Sequence, residues 1–423
     1  MEDFTTTKLI ELLADYQNME QNCLFIQVFP PAIVDEVWLN LNPYSPTFTG
    51  KSNAVVYDFQ RLLLIAFGAE GSIASEIRRG SISNPLSCWP SPDTLHFTTV
   101  FNKIPRGVAS QLIEALSISK LVIETPHVMD SVFAMDFMLV ASRISAVMFI
   151  DIKSDYQLSN TLFASSHLRE LVFVRVEGAI LPKQLDGLSG LKSLRLIHCS
   201  LNKVPNLNAI HGLEHLRLSQ CNLSKELDFS LFPASIVELD LSMNALNTLG
   251  NLGRLQALKS LDLSNNQVVH FDVSTCPSSL ETLCLRSNKL GSIACDGVNL
   301  PNLHLLDLGN NSLHELPKQC GELIGIKELL LSNNQFQKFP AELCALTALE
   351  RLDLNRNFIR SIPPSFVNLK RLCYLDLEDN LLTEVYWLLS LALWPKAKIR
   401  IRGNALQEEK RKLITLTNTN IDL

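Results

Sequence analysis

The chain has 423 residues, 37 Lys and Arg against 43 Asp and Glu, and a formal net charge of −6. That mild acidity argues against a nucleic-acid partner, whose binders usually carry a basic surplus or stripe. Ten cysteines are scattered without a C-x-x-C pair, which favours buried thiols in a reducing compartment and no metal or cofactor.

The opening MEDFTTTKLIELL is acidic and amphipathic, so it does not read as a secretory signal. Cytoplasm, with access to the nucleus, is the expected location. Residues 5–19 predict a helix with Thr6 or Thr7 as its cap, and a second helix is predicted from Pro31 to about Leu41. Phe29, Pro30, Ile33, Val34, Val37, Trp38 and Leu41 give that second segment a proline start and one apolar face. The pattern resembles the opening helix of an F-box, and F-box proteins with repeats behind serve as substrate receptors of ubiquitin ligases. Ala32 stands where the motif has an acidic residue, and residues 44–70 do not resemble its other two helices. Thr49-Gly50-Lys51-Ser52 is similar to the end of a phosphate-binding loop, but Ser45 replaces the required glycine. Residues 1–90 are expected to be a mostly helical, mixed region capping the apolar end of a repeat stack.

Residues 91–167 contain strand-like runs at 95–101, 120–125 and 146–152, about 25 residues apart, with helix-like stretches at 105–117 and 130–142. This spacing predicts degenerate repeats. The most apolar window, 131–152, holds Asp136 and Arg143 and divides better into a helix and a buried strand than into a membrane span.

From 168 to 406 one pattern, L-x-x-L-x-L-x-x-N-x-L, recurs every 22 to 24 residues; LERLDLNRNFI from Leu349 and LHLLDLGNNSL from Leu303 are clear copies. Alternation in L-x-L puts two leucines on one side of a short strand, and only stacking of successive units buries them. Asn244, Asn266, Asn288, Asn311, Asn334, Asn357, Asn380 and Asn404 form a ladder of amides suited to pairing buried backbone groups at each turn. Cys199 and Cys221 hold that position earlier, and Val176 before them. Val204-Pro205, Leu316-Pro317, Phe339-Pro340 and Ile362-Pro363 predict turns or short helical starts on the outer side. Residues 398–406 read as the last strand and last ladder asparagine, and 407–423 as a charged closing cap.

These units resemble leucine-rich repeats, specifically the intracellular 22–23-residue type found in Ras-pathway scaffolds and phosphatase regulators. The resemblance implies an α/β solenoid: a curved parallel sheet on the concave face, with short helices or 3₁₀ segments outside. It also implies a non-enzymatic scaffold or adaptor that binds a protein on the concave face. No nucleophile–base constellation stands in residues 1–165.

The concave face is the expected site. Its central column contributes Arg195, Arg217, Asp240, Asp262, Asp307, Asp353, Asp376 and Arg400, and flanking columns add Arg175, His198, His215, Glu238, Arg286, Arg351 and Arg356. A basic early stretch gives way to an acidic centre and a basic end, which would orient a partner with complementary charge bands.

Overall fold

The computed structural model describes residues 144–150, 167–176, 188–201, 204, 206–224, 227–384, 397–407 and 421–422, and the backbone of strands β1 (Thr94–Phe97) and β2 (Lys120–Glu124). The expected N-terminal helices, the F-box-like segment from Pro30 to Leu41 and the closing charged helix over 408–414 lie outside the described residues. The chain forms two compact units, residues 1–193 and 194–423.

In the first unit β1, β2, β3 (Ala146–Ile150) and β4 (Glu170–Val174) pair in parallel, with Thr94, Lys120, Ala146 and Glu170 in register. Every residue of β3 is buried. Phe149 stacks on Phe173 with ring centroids 5.2 Å apart on one side of this sheet. Met148, Ile150 and Val172 pack together on the other, with Val174 against them. Water is therefore shut out from both faces of the first unit's sheet at β3.

The second unit is a parallel-sheet solenoid. Its strands are β5 (Ser193–Ile197), β6 (His215–Ser219), β7 (Glu238–Asp240), β8 (Ser260–Asp262), β10 (Thr282–Cys284), β12 (Leu305–Asp307), β13 (Glu328–Leu330), β14 (Arg351–Asp353), β15 (Tyr374–Asp376), β16 (Lys398–Arg400) and β17 (Ile421–Asp422), hydrogen-bonded in that order. The middle residues Leu239, Leu261, Leu283, Leu306, Leu329, Leu352 and Leu375 stand side by side in register. None is more than 2 % exposed. Each such leucine contributes roughly 2 kcal/mol by burial, but only while its neighbours are stacked.

The predicted ladder is present. Asn357 shows the pattern: its amide nitrogen donates to Leu331 O and Leu354 O at 3.0 Å, and its oxygen accepts from Phe336 N at 3.1 Å. One side chain thus ties its own turn to the unit before it, in dry surroundings where an unpaired amide is costly. The other ladder asparagines repeat this through Asn404, which bonds Leu377 O, Ile401 O and Leu382 N. Cysteine substitutes as expected: Cys221 Sγ donates to Leu196 O at 3.2 Å.

The helical outer segments among the described residues are 3₁₀, one of the two forms expected. Pro317, Pro340 and Pro363 sit at the N-caps of Lys318–Glu322, Ala341–Ala345 and Pro364–Asn368. Asp228, Asn251 and Asp272 cap the earlier ones with a side-chain bond to the residue two on. Separately, β9 (His270–Asp272), which ends on the capping Asp272, and β11 (Ser292–Ala294) form a second, two-stranded parallel sheet. Strand β16 was expected to be last. The sheet continues past it, because Ile421-Asp422 repeats the first half of the L-D-L signal and pairs Ile399-Arg400.

Candidate functional site

Strand pleating gives the second unit's sheet three outward columns on its face. The column before the buried leucine carries His215, Glu238, Arg351, Tyr374 and Lys398; the column after it carries Arg195, Arg217 and the aspartates. The third column, two residues further on, includes Ser219, Ser242, Arg286, Gly309, Ser332, Asn355 and Glu378. Arg195, Arg217, Glu238, Arg351 and Lys398 are exposed, so this face is open to solvent.

The aspartates of L-D-L have a structural task that spacing alone did not reveal. Asp240, Asp262, Asp307, Asp353 and Asp376 each accept the backbone N–H two residues later, at 2.8 to 3.0 Å. Each closes the turn where the strand ends, the local carboxylate-to-backbone bond that Asp favours in such turns. Asp307 and Asp376 are buried, at 8 % and 1 % exposure, so little of either meets solvent. Burial raises the carboxyl pKa of Asp307 and Asp353 above the usual range, against the backbone bonds that hold it down.

Many of the named charges pair with each other. His215 Nδ1 lies 2.9 Å from Glu238, and Arg217 Nε lies 3.0 Å from Asp240, both across β6 and β7. Arg286 stands 3.9 Å from Asp307. A Cβ at Gly309 would meet the Arg286 guanidinium at 2.6 Å, so glycine there leaves room for it. Arg400 binds Asp376 at 3.0 Å and Glu378 at 2.7 Å, and lies 3.8 Å from Asp422. Tyr374 donates to Asp376 at 3.0 Å and carries the Arg351 guanidinium 4.3 Å over its ring. The basic and acidic bands are therefore partly neutralised where they meet.

Arg175, His198 and Arg356 occupy a different place from the strand residues. In every unit the residue just before the ladder position has positive φ, 51° to 58° where it is not glycine and 75° at Gly403. That left-handed turn aims the backbone N–H at the next unit: His198 N donates to Ser219 O, Met243 N to Ser264 O and Arg356 N to Glu378 O. The side chains of Arg175, His198 and Arg356 are exposed, and Arg356 lies 3.5 Å from Asp379. Arg175 belongs to the first unit, where Val172 and its neighbours are buried. Tyr374 went unread in the sequence although its position before L-D-L identifies it as face-directed. Asp422 went unread because its strand is two residues long.

Among the described residues no group of three or more His, Cys, Asp or Glu is placed to hold a metal ion. No helix there is long and apolar enough to cross a membrane.

The leucine rich repeat family matches residues 324–382. Toll-like receptor 7 of Drosophila melanogaster is 33 % identical over 96 residues, 22 % of this chain but 7 % of that receptor, so the chain matches a small part of its relative. A leucine-rich repeat protein of Leptospira interrogans superposes with a TM-score of 0.59 at 27 % identity, covering 64 % of this chain and 69 % of that one. The Drosophila Toll–Spätzle complex matches in fold, with a TM-score of 0.58 at 19 % identity over 77 % of this chain and 48 % of that one. With the ladder, the L-x-L strands and the outer 3₁₀ turns in place, the unit from Leu194 onward is a leucine-rich repeat solenoid.

Proposed function

We propose that the chain is a non-enzymatic scaffold or adaptor that binds a protein partner on the sheet face of its second unit, the face expected to be concave. Leucine-rich repeats are generally protein–protein interaction modules. The observation that carries this reading is the array of solvent-facing side chains between buried leucines. It runs through successive strands whose backbone is already fixed by the asparagine ladder. A face held rigid before contact loses little conformational entropy when a partner docks. Toll, a fold neighbour, forms a complex with Spätzle, which supports a protein as the partner class.

The residues to change are exposed side chains of the sheet face that accept no turn-closing backbone bond. Arg195→Glu, Arg351→Glu and Lys398→Glu together should abolish capture of the partner that wild type retains, with the unfolding midpoint nearly unchanged. Lys318→Glu with Glu322→Lys, on the outer 3₁₀ segment, should leave capture intact. Capture that survives the first set and fails with the second would place the contact on the outer side.

A further inference from the structure

Cys295 follows β11, and Cys320 lies in the 3₁₀ segment Lys318–Glu322 of the next unit. Their sulfurs stand 2.9 Å apart, both as thiols and both buried. Both residues are on the outer side, away from the columns of the sheet face. We propose that Cys295 and Cys320 are a dithiol pair that closes to an intrachain disulfide, stapling two successive units on the outer side when the protein meets a disulfide oxidant.

A disulfide needs sulfurs about 2.05 Å apart, so closure asks for less than about 1 Å of approach from positions already facing each other. The bond would close a loop across the junction between two units, so it would oppose peeling of one unit from the next. The hydrogen bond between the two sulfurs, with burial, raises the Cys320 pKa well above the usual thiol range. Cys320 therefore stays protonated and slow to react in the closed protein, and exchange waits on local opening of the outer turn. The step balances with glutathione disulfide as oxidant. One deprotonated thiol attacks a glutathione sulfur and releases one glutathione thiol. The second thiolate attacks the protein-side sulfur of that mixed disulfide and releases the other. Two protein thiols are oxidised and one glutathione disulfide is reduced to two thiols.

The test is a thiol map of the full chain after equilibration in glutathione disulfide, by alkylation, proteolysis and mass spectrometry. The expected result is a linked peptide pair holding Cys295 and Cys320, and an unfolding midpoint raised by a few degrees that dithiothreitol returns to its starting value. Cys320→Ser should lose that oxidant-dependent rise; should this variant fail to fold, the wild-type map decides. Recovery of both cysteines as alkylated thiols, or of either one bridged elsewhere, would overturn the proposal.

Discussion

Arg400 on β16 reaches across to Asp376 on β15, with Nη1 3.0 Å from an Asp376 carboxylate that is almost wholly buried. The other oxygen of Asp376 accepts the Glu378 backbone N–H at 3.0 Å, so the carboxylate is satisfied on both sides. Arg400 itself is about one-third exposed, which leaves its far side toward solvent. A buried anion with a single cationic partner is sensitive to loss of that partner, because the charge then remains without compensation.

Arg400→Met should therefore cost roughly 2 kcal/mol, below the full value for a buried pair because water still screens the guanidinium. Adding Asp376→Asn in the same chain should restore part of the loss, since the amide oxygen can still accept from Glu378 N without a charge. Denaturant unfolding of the two variants checks this. A double variant no more stable than Arg400→Met would mean the loss is one of packing.

Asp307 separates the charge of an L-D-L aspartate from its hydrogen bond. Its carboxyl accepts Gly309 N at 2.9 Å, while burial pushes its pKa up. A carboxyl whose folded pKa is raised gives stability that is fully present below the usual carboxylate range and lost as pH rises through the raised value. Asp307→Asn keeps the acceptor and removes the titration. Its unfolding midpoint at pH 7 should equal or exceed that of wild type, with the advantage shrinking as pH falls through the raised pKa. Asp307→Ala removes the acceptor and should cost about 1–2 kcal/mol at either pH. Thermal unfolding at pH 4 and pH 7 distinguishes the two.

Much of the fold was legible in the order of residues alone. The period set the strands, because the paired leucines of L-x-L have nowhere to go but the shared core, and Leu352 and Leu354 are fully buried as that demands. The ladder was legible because a recurring asparagine at a turn has few other physical uses. The site was less so. Spacing placed Asp240, Asp262 and Asp353 on the face but could not show that each is bonded to the backbone of its own turn. Nor could it show that Arg356 sits in a left-handed turn, because residues as different as Met243, Ser287 and Asp379 share that conformation. Strand β3 was legible by another signal: AVMFI has no alternation to mark an open side, which reads as a buried strand, and both of its sides are buried.

Removing a ladder amide tests the part of the fold on which every face residue depends. Asn357→Ala leaves Leu331 O, Leu354 O and Phe336 N without the partner they share, all at a side chain only 3 % exposed. The expected cost is roughly 1–3 kcal/mol, with faster amide exchange at Phe336 and at strand β14 than at β7. Uniform exchange along the array would show instead that the units open together.

The left-handed position predicts a stabilising change, which is rarer and so more discriminating. Met243 has φ 58° and is about half exposed, with a long side chain on a backbone that disfavours any Cβ other than that of Asn or Asp. Equivalent turns carry Asn265, Asn310 and Asn333 at nearly the same φ. Met243→Asn should relieve part of a strain of about 1 kcal/mol and raise the unfolding midpoint. Met243→Val, branched at Cβ, should lower it. Neither change touches Arg195, Arg351 or Lys398, so partner capture should be the same for both. If the valine variant is as stable as wild type, the turn at Met243 is not left-handed in solution. The hydrogen bond from its N–H to Ser264 O in the next unit would then be lost as well.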